Sequence, residues 1–303
     1  MGAFNGPKDW GRLLTAMVTP FDRNGNVNFD EAARIAAHLV DEQQNDGLVV
    51  SGTTGESPTL SDDEKLALLT CVLDAVGDRA AVVFGAGTYD TRHSIHMTKA
   101  ASSRGAHGIM LVNPYYSKPG QSGLFAHFST VAAETSLPVM LYNIQPRSAI
   151  NLETETLMRL AEIPNIVAVK EASGSIAQIT EVCARKPDGF RVYSGDDALT
   201  MPIMAVGGHG LVSVSAHVAG RTLKRVIELA LTDLEGAKRT NLQLIDLVKA
   251  VFSAPSPTPI KYLLSLQGFD CTAVRLPLVE LDDGQKESIR QVFERYESSV
   301  KVG

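Results

Sequence analysis

Short apolar runs alternate with amphipathic segments along most of the chain. Eight runs are apolar at successive positions, which is typical of strands buried on both faces. Between the runs, apolar residues recur at helical spacing, as in residues 29–44. Ser61, followed three residues later by Glu64, predicts a capping box at a helix start. The runs begin near Leu13, Gly47, Ala81, Gly108, Pro138, Ile166, Phe190 and Gly210.

Strands that alternate with helices indicate βαβ units and a parallel sheet. Eight such units within about 220 residues fit a closed barrel better than an open doubly wound sheet. We therefore predict an α/β fold, a (β/α)8 TIM barrel, over residues 1–232. Residues 233–303 show helical periodicity only, and no Gly/Ser linker separates them from the barrel. They are predicted to form a helical C-terminal extension packed on the barrel.

Composition and charge exclude several classes of protein. With 303 residues, 44% apolar and 20% charged, the chain has the composition of an ordinary soluble globular protein. The net charge of −6 is mild and there is no basic block, which argues against a nucleic-acid partner. The chain has no run of about 18 uncharged apolar residues, so no transmembrane helix is predicted. Residues 1–10 lack the apolar core of a signal peptide, so we expect a cytoplasmic protein.

The cysteine, histidine and glycine patterns give little support for a bound metal or dinucleotide. Cys71, Cys183 and Cys271 are far apart and form no CxxC pair. His93 and His96 have helical spacing but no third ligand beside them. The glycines at 85 and 87 lack the third glycine of a dinucleotide fingerprint. These patterns predict neither metal binding nor NAD binding.

Lys170 ends the sixth apolar run, residues 166–170. There a strand leaves the sheet, and in a closed parallel barrel the carboxyl ends of the strands form the face where catalytic groups collect. A lysine partly withdrawn from water has a lowered pKa and can attack a carbonyl to form a Schiff base. The alternative is a solvated lysine at the polar end of a strand.

The second run leads into Gly52-Thr53-Thr54-Gly55. Two glycines around two threonines predict a tight turn with exposed backbone N–H groups, which can cradle an anion. The GK[ST] of a Walker loop is missing, so a carboxylate is as good a guest as a phosphate. The alternative is a glycine turn needed only for its geometry.

Tyrosines follow the fourth and fifth runs: Tyr115 and Tyr116 after the fourth, and Tyr142 at the end of the fifth. A single tyrosine at a barrel mouth is more often a packing or interface residue. A phenol beside a nucleophilic lysine can also carry its protons. Arg147 is either a surface residue or a fork for a substrate carboxylate.

Asp196 and Asp197 follow the seventh run, and we favour a helix-capping role there. On the eighth run, a backbone carbonyl near Val212 could line a pocket. Each of these signals is weak alone. Together they place a lysine, a tyrosine and an anion-binding turn at the same end of one barrel, which is what a Schiff-base aldolase requires.

Six segments, taken together, resemble the dihydrodipicolinate synthase family, a branch of the class I pyruvate aldolases that also contains N-acetylneuraminate lyase. The resemblance runs from about Leu13 to Leu278, with similar spacing between the motifs. The segments are Gly52-Thr53-Thr54-Gly55-Glu56-Ser57, Pro114-Tyr115-Tyr116, Tyr142-Asn143, Val169-Lys170-Glu171-Ala172, Ser194-Gly195-Asp196-Asp197 and Gly207-Gly208-His209-Gly210.

The resemblance implies a role for each member of the predicted site. Lys170 would form a Schiff base with pyruvate, whose carboxylate would rest on Thr53 and Thr54. Tyr142 would pass protons in a relay with Thr53 and with Tyr116 of a neighbouring subunit.

The remaining implied roles concern the second substrate and the assembly. Arg147 would bind the carboxylate of L-aspartate 4-semialdehyde, and Gly195 and Val212 would lend backbone oxygens to the pocket. The product would be 4-hydroxy-tetrahydrodipicolinate, in the committed step of diaminopimelate and lysine biosynthesis, which implies a lyase. The resemblance also implies a homotetramer of two tight dimers that needs no metal or organic cofactor.

Two departures from the family pattern bear on these roles. Where many members have a proline two residues after Tyr142-Asn143, this chain has Gln145, and the proline follows at Pro146. The loop that presents Arg147, and with it the recognition of the second substrate, is therefore predicted to differ from that of these members. Members inhibited by lysine carry a His and a Glu where this chain has Lys65 and His93. An ammonium at residue 65 would repel a lysine ligand, so we predict weak or absent lysine feedback.

Two other functions stay open at this point. One is a different pyruvate-dependent aldolase that acts on a sugar acid or another aldehyde. Arg147 favours the semialdehyde, since a polyhydroxy substrate would call for several hydroxyl-binding groups instead. The other is a non-catalytic paralogue that binds a ligand or a partner, because fold alone does not establish activity. Such a paralogue is expected to lose Lys170 or Tyr142, and both are present.

Overall fold

The computed structural model describes residues 9–301 and confirms the closed barrel. Its parallel strands pair in chain order, and β8 returns to pair with β1. Residues 1–8 and 302–303, and with them most of the polar N-terminal segment, lie outside the described residues. The strands are β1 Leu13–Ala16, β2 Gly47–Val50, β3 Ala81–Gly85, β4 Gly108–Val112, β5 Val139–Asn143, β6 Ile166–Glu171, β7 Arg191–Ser194 and β8 Gly210–Ser213.

Helices follow the strands, and further helices follow the barrel. Most bounds agree with the sequence pattern to within a few residues, although α1 continues as a π-helical turn at His38–Glu42. The α-helices are α1 Phe29–Ala37, α2 Asp62–Val76, α3 Thr91–Ser103, α4 Gln121–Ala132, α5 Gln145–Ser148, α6 Thr154–Ala161, α7 Ile176–Arg185, α8 Thr200–Ala205, α9 Ala216–Leu229, α10 Leu234–Leu242, α11 Ile245–Val251, α12 Thr258–Leu266 and α13 Asp283–Lys301.

Local hydrogen bonds explain where two of these helices begin. The predicted capping box is confirmed: Ser61 Oγ accepts from the N–H of Glu64 at 3.2 Å, and the Glu64 carboxylate accepts from the N–H of Ser61 at 2.8 Å. The sequence pattern predicts that the helix after β8 begins near Arg221. In the structure α9 begins at Ala216 and has a kink at Ala219, so its regular part begins next to the predicted position. Ser213 Oγ accepts from the Ala216 N–H at 2.9 Å, which satisfies a donor of the first turn.

Each strand is buried on both faces, so the barrel has an inner and an outer core. The alternation of side chains along β6 puts Ala168 in the inner core and Val169 in the outer one, against the helices. The outer core is much the larger. The inner core includes Trp10, Leu14, Ala16, Val49, Ala81, Val83, Met110, Met140, Tyr142, Ala168, Tyr193 and Val212.

Helices α10 to α13 form the C-terminal extension, and they pack on the barrel through α9. Helices α10 and α12 contact α9, while α13 contacts α11 and α12. Tyr296 on α13 shares a hydrogen bond with Thr222 on α9, with 2.8 Å between the two oxygens. The two parts thus share a buried interface.

Candidate active site

Lys170 lies inside the barrel near the carboxyl end of β6. The pleat that turns Ala168 inward does the same for Lys170, which is only 5% exposed. Its Nζ lies 4.2 Å from the centroid of the Tyr142 ring. Within residues 9–301 no carboxylate forms an ion pair with it, although the field of Asp197 reaches it. Burial lowers the pKa of Lys170 to about 8 because the charged form loses its hydration, and Asp197 opposes this only in part.

Tyr142 is the direct neighbour of Lys170 across the β5–β6 pair. Its ring is buried, and burial raises the pKa of the phenol to about 12, against smaller opposing effects of the Arg147 charge and of a hydrogen bond with Thr53. The phenol is therefore neutral at neutral pH. It can donate a proton to a group formed at Lys170 and recover one through the Thr53 hydroxyl.

Gly195 lets the chain after β7 pass directly beside Lys170. A Cβ at this position would lie 2.9 Å from both Cγ and Cε of Lys170 and 2.9 Å from Cβ of Ala172. Real Cβ atoms do not approach carbon this closely, so a larger residue would push the lysine aside. The sequence-based role of Gly195, a backbone oxygen for the pocket, stays a prediction.

The turn Gly52–Gly55 follows β2 and carries both predicted threonines. The N–H of Gly55 donates to the carbonyl of Gly52, and the N–H of Glu56 to the carbonyl of Thr53, each at 3.1 Å. Among the described residues, no protein acceptor takes up the backbone N–H of Thr53 or Thr54. Successive N–H groups left free in a turn form a concave donor site for an anion.

A cavity of about 210 Å³ lies at the carboxyl ends of the strands. Arg147 reaches it from α5, a short helix that the sequence pattern does not predict. Pro146 stands in the first turn of this helix, where proline is tolerated. Lys170 is outside the lining and contacts the Tyr142 ring that forms part of the wall. The lining residues are Ser51, Gly52, Thr53, Ser57, Pro58, Gly85, Gly87, Met110, Val112, Tyr115, Tyr142, Ile144, Arg147 and Ser148.

The structure thus brings together Lys170, Tyr142, Thr53 and Arg147, but it places other predicted residues differently. Thr54 is buried beside the lining residue Thr53, and Val212 is buried in the inner core on β8. Tyr116 is 94% exposed and does not line the cavity of its own chain. Its φ of +69° lies in the left-handed region, so the loop after β4 holds it in an unusual conformation.

Asp196 and Asp197 follow β7, and they have different roles in the structure. Asp196 caps the following 3-10 turn, since its carboxylate accepts from the N–H of Ala198 at 2.9 Å. Asp197 is buried and accepts from the N–H groups of Val214 at 3.2 Å and Ser215 at 2.8 Å. It is the carboxylate whose field raises the pKa of Lys170. The sequence signal for this role of Asp197 is a charged residue close to the end of a strand.

Polar residues on the outer side of the same strand ends tie β4, β5 and β6 together. The side-chain amide of Asn143 lies 3.2 and 3.3 Å from the two carboxylate oxygens of Glu171, and Asn113 donates to Asn143 at 2.9 Å. All three residues are fully buried. Two of them adjoin Tyr142 and Lys170 in the quoted motifs, yet motif reading alone assigns them no role.

Metal-ligand clusters and membrane-spanning helices are both absent from the described part of the chain. Within residues 9–301, no three His, Cys, Asp or Glu side chains are grouped so that they could hold a metal ion. His93 lies 2.8 Å from Asp62 instead. No helix in this part of the chain is long and apolar enough to cross a bilayer.

The site and the fold can be compared with known proteins. The model of the Dihydrodipicolinate synthetase family matches residues 9–295. The chain belongs to this family. A curated relative from Moorella thermoacetica, named 4-hydroxy-tetrahydrodipicolinate synthase, is 50% identical over 92% of this chain and 96% of its own. The protein of the same name from Bacillus subtilis is 47% identical over 93% and 97%.

Solved structures give the same result at the level of the fold. A dihydrodipicolinate synthase from Bacillus anthracis has a TM-score of 0.92 at 43% identity and covers 94% of this chain and 98% of its own. A dihydrodipicolinate synthase from Cyanidioschyzon merolae, solved with lysine bound, has a TM-score of 0.93 at 41% identity over 95% and 98%. The resemblance stated from the motifs is confirmed over nearly the whole chain.

Proposed function

We propose that this family member condenses pyruvate with L-aspartate 4-semialdehyde through a Schiff base on Lys170 and releases 4-hydroxy-tetrahydrodipicolinate. The observation that carries the proposal is a buried lysine that has no carboxylate partner within residues 9–301 and contacts Tyr142 at the wall of a cavity. Relatives of about half-identical sequence bear the name 4-hydroxy-tetrahydrodipicolinate synthase, which supports it. The enzyme is then a lyase of diaminopimelate and lysine biosynthesis.

Schiff-base formation begins with the neutral amine of Lys170. With a pKa of about 8, a useful fraction of the lysine is uncharged near neutral pH. The amine attacks the carbonyl carbon of pyruvate and gives a carbinolamine. Tyr142 delivers the proton with which the hydroxyl departs as water, and Thr53 helps to return a proton to the phenol. The resulting iminium withdraws electrons and acidifies the pyruvate methyl group.

The turn Gly52–Gly55 holds the pyruvate carboxylate in this scheme. The free N–H groups of Thr53 and Thr54 and their hydroxyls supply hydrogen-bond donors for an anion. Because the hydroxyl of Thr53 also contacts Tyr142, the same turn links carboxylate binding to proton transfer. A carboxylate fixed there points the carbonyl carbon of the substrate toward Lys170.

The second half of the reaction uses Arg147. The iminium loses a methyl proton to water and becomes an enamine, whose carbon attacks the aldehyde carbon of the semialdehyde. The iminium forms again, and the former aldehyde oxygen takes up a proton and becomes the hydroxyl group of the product. The Arg147 guanidinium binds the carboxylate of that substrate. The substrate amine then attacks the former carbonyl carbon, closes the ring and displaces the amine of Lys170. Gly195 and Val212 lend backbone oxygens that help to fix the reacting groups.

We further propose a cytoplasmic homotetramer built from two tight dimers, in which Tyr116 completes the proton relay of a neighbouring subunit. Its 94% exposure in the single chain supports this, because an exposed tyrosine on a held loop is available to a partner. The division into a barrel of residues 1–232 and an extension of residues 233–303 belongs to the same proposal. Sedimentation of the wild-type chain and of Tyr116→Trp tests the assembly, with a single tetramer expected for the wild type.

Borohydride reduction in the presence of pyruvate tests the function. Intact mass and peptide mapping report the adduct, and turnover of the semialdehyde is measured in parallel. A reduced pyruvyl adduct on Lys170 together with turnover is the expected result. An adduct without turnover would favour an aldolase for a sugar acid or another aldehyde. No adduct would favour a non-catalytic paralogue and contradict the proposal.

A further inference from the structure

The C-terminal extension reaches back to the substrate turn through a buried ion pair. Lys261 on α12 is fully buried, and its Nζ lies 2.5 Å from Oε1 of Glu56 and 2.7 Å from the carbonyl oxygen of Ala273. The other carboxylate oxygen of Glu56 accepts from the backbone N–H of Arg275 at 3.0 Å. The side chain of Glu56 is therefore held from both sides by the extension.

Glu56 is the residue directly after the turn Gly52–Gly55. Its φ of +54° lies in the left-handed region, which an L residue adopts only when its surroundings hold it there. The backbone N–H of Glu56 donates to the carbonyl of Thr53, so the position of Glu56 also sets that of the turn. Thr19 Oγ1 adds a bond to the carbonyl of Gly55 at 2.7 Å from the other side.

Arg275 fixes the chain on the far side of the turn. Its guanidinium donates to the carbonyl of Thr59 at 2.7 Å and to the carboxylate of Glu64 at 2.9 Å. Both Arg275 and Lys261 stack on the ring of Phe21, 4.5 and 4.4 Å from its centroid. Lys261 and Arg275 of the extension thus bind the two ends of the segment from Glu56 to Glu64. Neither cation lines the cavity.

We infer that Glu56 and Lys261 are positioning residues for substrate carboxylate binding. The buried pair holds the turn in the shape that keeps the N–H groups of Thr53 and Thr54 free and together. The helical extension then completes the active site of its own subunit. This inference rests on the proposed function, because it takes the turn to be the site of the pyruvate carboxylate. A pair that only stabilised the fold would leave pyruvate binding unchanged in whatever protein remained folded.

The test compares Lys261→Met with Tyr296→Phe. Tyr296→Phe removes a buried hydrogen bond between the extension and the barrel at Thr222, away from the turn. For each variant, the pyruvate concentration for half-maximal borohydride trapping, KM and kcat are measured below its melting temperature. We expect the half-saturating concentration and the pyruvate KM of Lys261→Met to rise at least about tenfold, because small displacements of binding groups are costly. Tyr296→Phe should melt earlier but keep the wild-type half-saturation.

A double variant, Glu56→Gln with Lys261→Met, keeps the test decisive if the single variant does not fold. It leaves no unpaired charge in the interior and is expected to fold. Because the ionic contact is gone, its pyruvate half-saturation should still rise. Wild-type half-saturation in a folded Lys261→Met or double variant would overturn the inference. Failure of the wild-type enzyme to trap pyruvate would instead overturn the proposed function, so the two failures are distinct.

Discussion

Three lysines are buried among the described residues, and the two least exposed of them, Lys170 and Lys261, have opposite surroundings. The ammonium of Lys261 has a carboxylate at 2.5 Å, a carbonyl at 2.7 Å and an aromatic face at 4.4 Å. The amine of Lys170 has an aromatic face at 4.2 Å and, among the described residues, no ion-pair partner. Burial lowers the pKa of both lysines, but at Lys261 the charge of Glu56 works directly against it.

The contacts of the buried nitrogen decide which of two purposes a lysine serves. A buried ammonium with its donors satisfied is a structural element, and removing its partner is costly. A buried lysine left without a partner gives up its proton readily and becomes a nucleophile. Burial alone does not distinguish the two cases, whereas the contacts of Nζ do.

The largest effect is expected from Lys170→Met. The variant lacks the amine, so turnover and the borohydride-trapped adduct should both fall below detection. Intact mass after reduction with pyruvate and the assay of semialdehyde consumption are the measurements. The matched control is Lys261→Met, which keeps the amine of Lys170 and should still form the adduct at high pyruvate. An adduct on Lys170→Met would place the Schiff base on another lysine.

Tyr142→Phe tests the group that faces the reactive lysine. Loss of a positioned acid–base group typically slows a reaction by about 10²- to 10⁴-fold. We expect a kcat reduced within that range, with a trapped adduct that still forms, only slowly, on Lys170. Tyr193→Phe is the control: Tyr193 also pairs with Lys170, across β6 and β7, but its phenol donates to the carbonyl of Gly11 at 2.7 Å and does not line the cavity. A kcat of Tyr142→Phe equal to that of Tyr193→Phe would exclude Tyr142 from the proton relay.

Replacing lysine by methionine should lower the free energy of unfolding at position 261 and raise it at position 170. Lys261→Met leaves Glu56 buried without its partner, so the free energy of unfolding should fall by about 3–5 kcal/mol. Lys170→Met removes a buried amine that has no ion-pair partner in the described part of the chain, and it should raise the free energy of unfolding by roughly 1–3 kcal/mol at pH 7. Urea unfolding of both variants is the measurement. A loss of stability in Lys170→Met would mean that the lysine has a stabilising partner.

The increase in the free energy of unfolding that we expect for Lys170→Met should depend on pH. The folded pKa of about 8 lies below the unfolded value of 10.5, so the unfolded chain binds the proton more tightly. The penalty of keeping Lys170 is complete below about pH 8 and fades as the pH approaches 10.5. The stability difference between the variant and the wild type should follow that course.

The rate of adduct formation should follow the ionisation of the Lys170 amine. The neutral amine is the nucleophile, so at low pyruvate the trapping rate should rise about tenfold per pH unit below about pH 8 and then level. Stopped-flow or quenched trapping across this range is the measurement, with Tyr296→Phe as the control for an unchanged midpoint. A midpoint near the ordinary lysine value would show that Lys170 is solvated during the reaction.

The sequence predicts the barrel and the reactive lysine, but not the structural one. Runs buried on both faces give the strands, and Lys170 and Tyr142 are found because each stands at the end of a run. Their direct pairing across β5 and β6 depends on register, which the pattern of a single strand does not contain.

The buried pair of Glu56 and Lys261 is a long-range contact. Glu56 and Lys261 are 205 positions apart, and each would read as a surface charge from its local sequence. Helix α5 is missed because its four residues are too few for a periodic signal. Local patterns thus locate the reactive group, while the contacts that hold its surroundings arise only on folding.

Lys65, the third buried lysine, gives the smallest expected effect. It is 8% exposed, and its Nζ lies 3.5 Å from the carboxylate of Asp62, which also lies 2.8 Å from His93. An ammonium held there repels a second ammonium, so free lysine should not half-inhibit the enzyme at sub-millimolar concentration. Initial rates with added lysine are the measurement, and Lys65→Met is the control that removes the charge at similar length. Half-inhibition of the wild type in that range would show that Asp62 and His93 can accept the ligand despite Lys65, whereas inhibition of Lys65→Met alone would assign the exclusion to this charge.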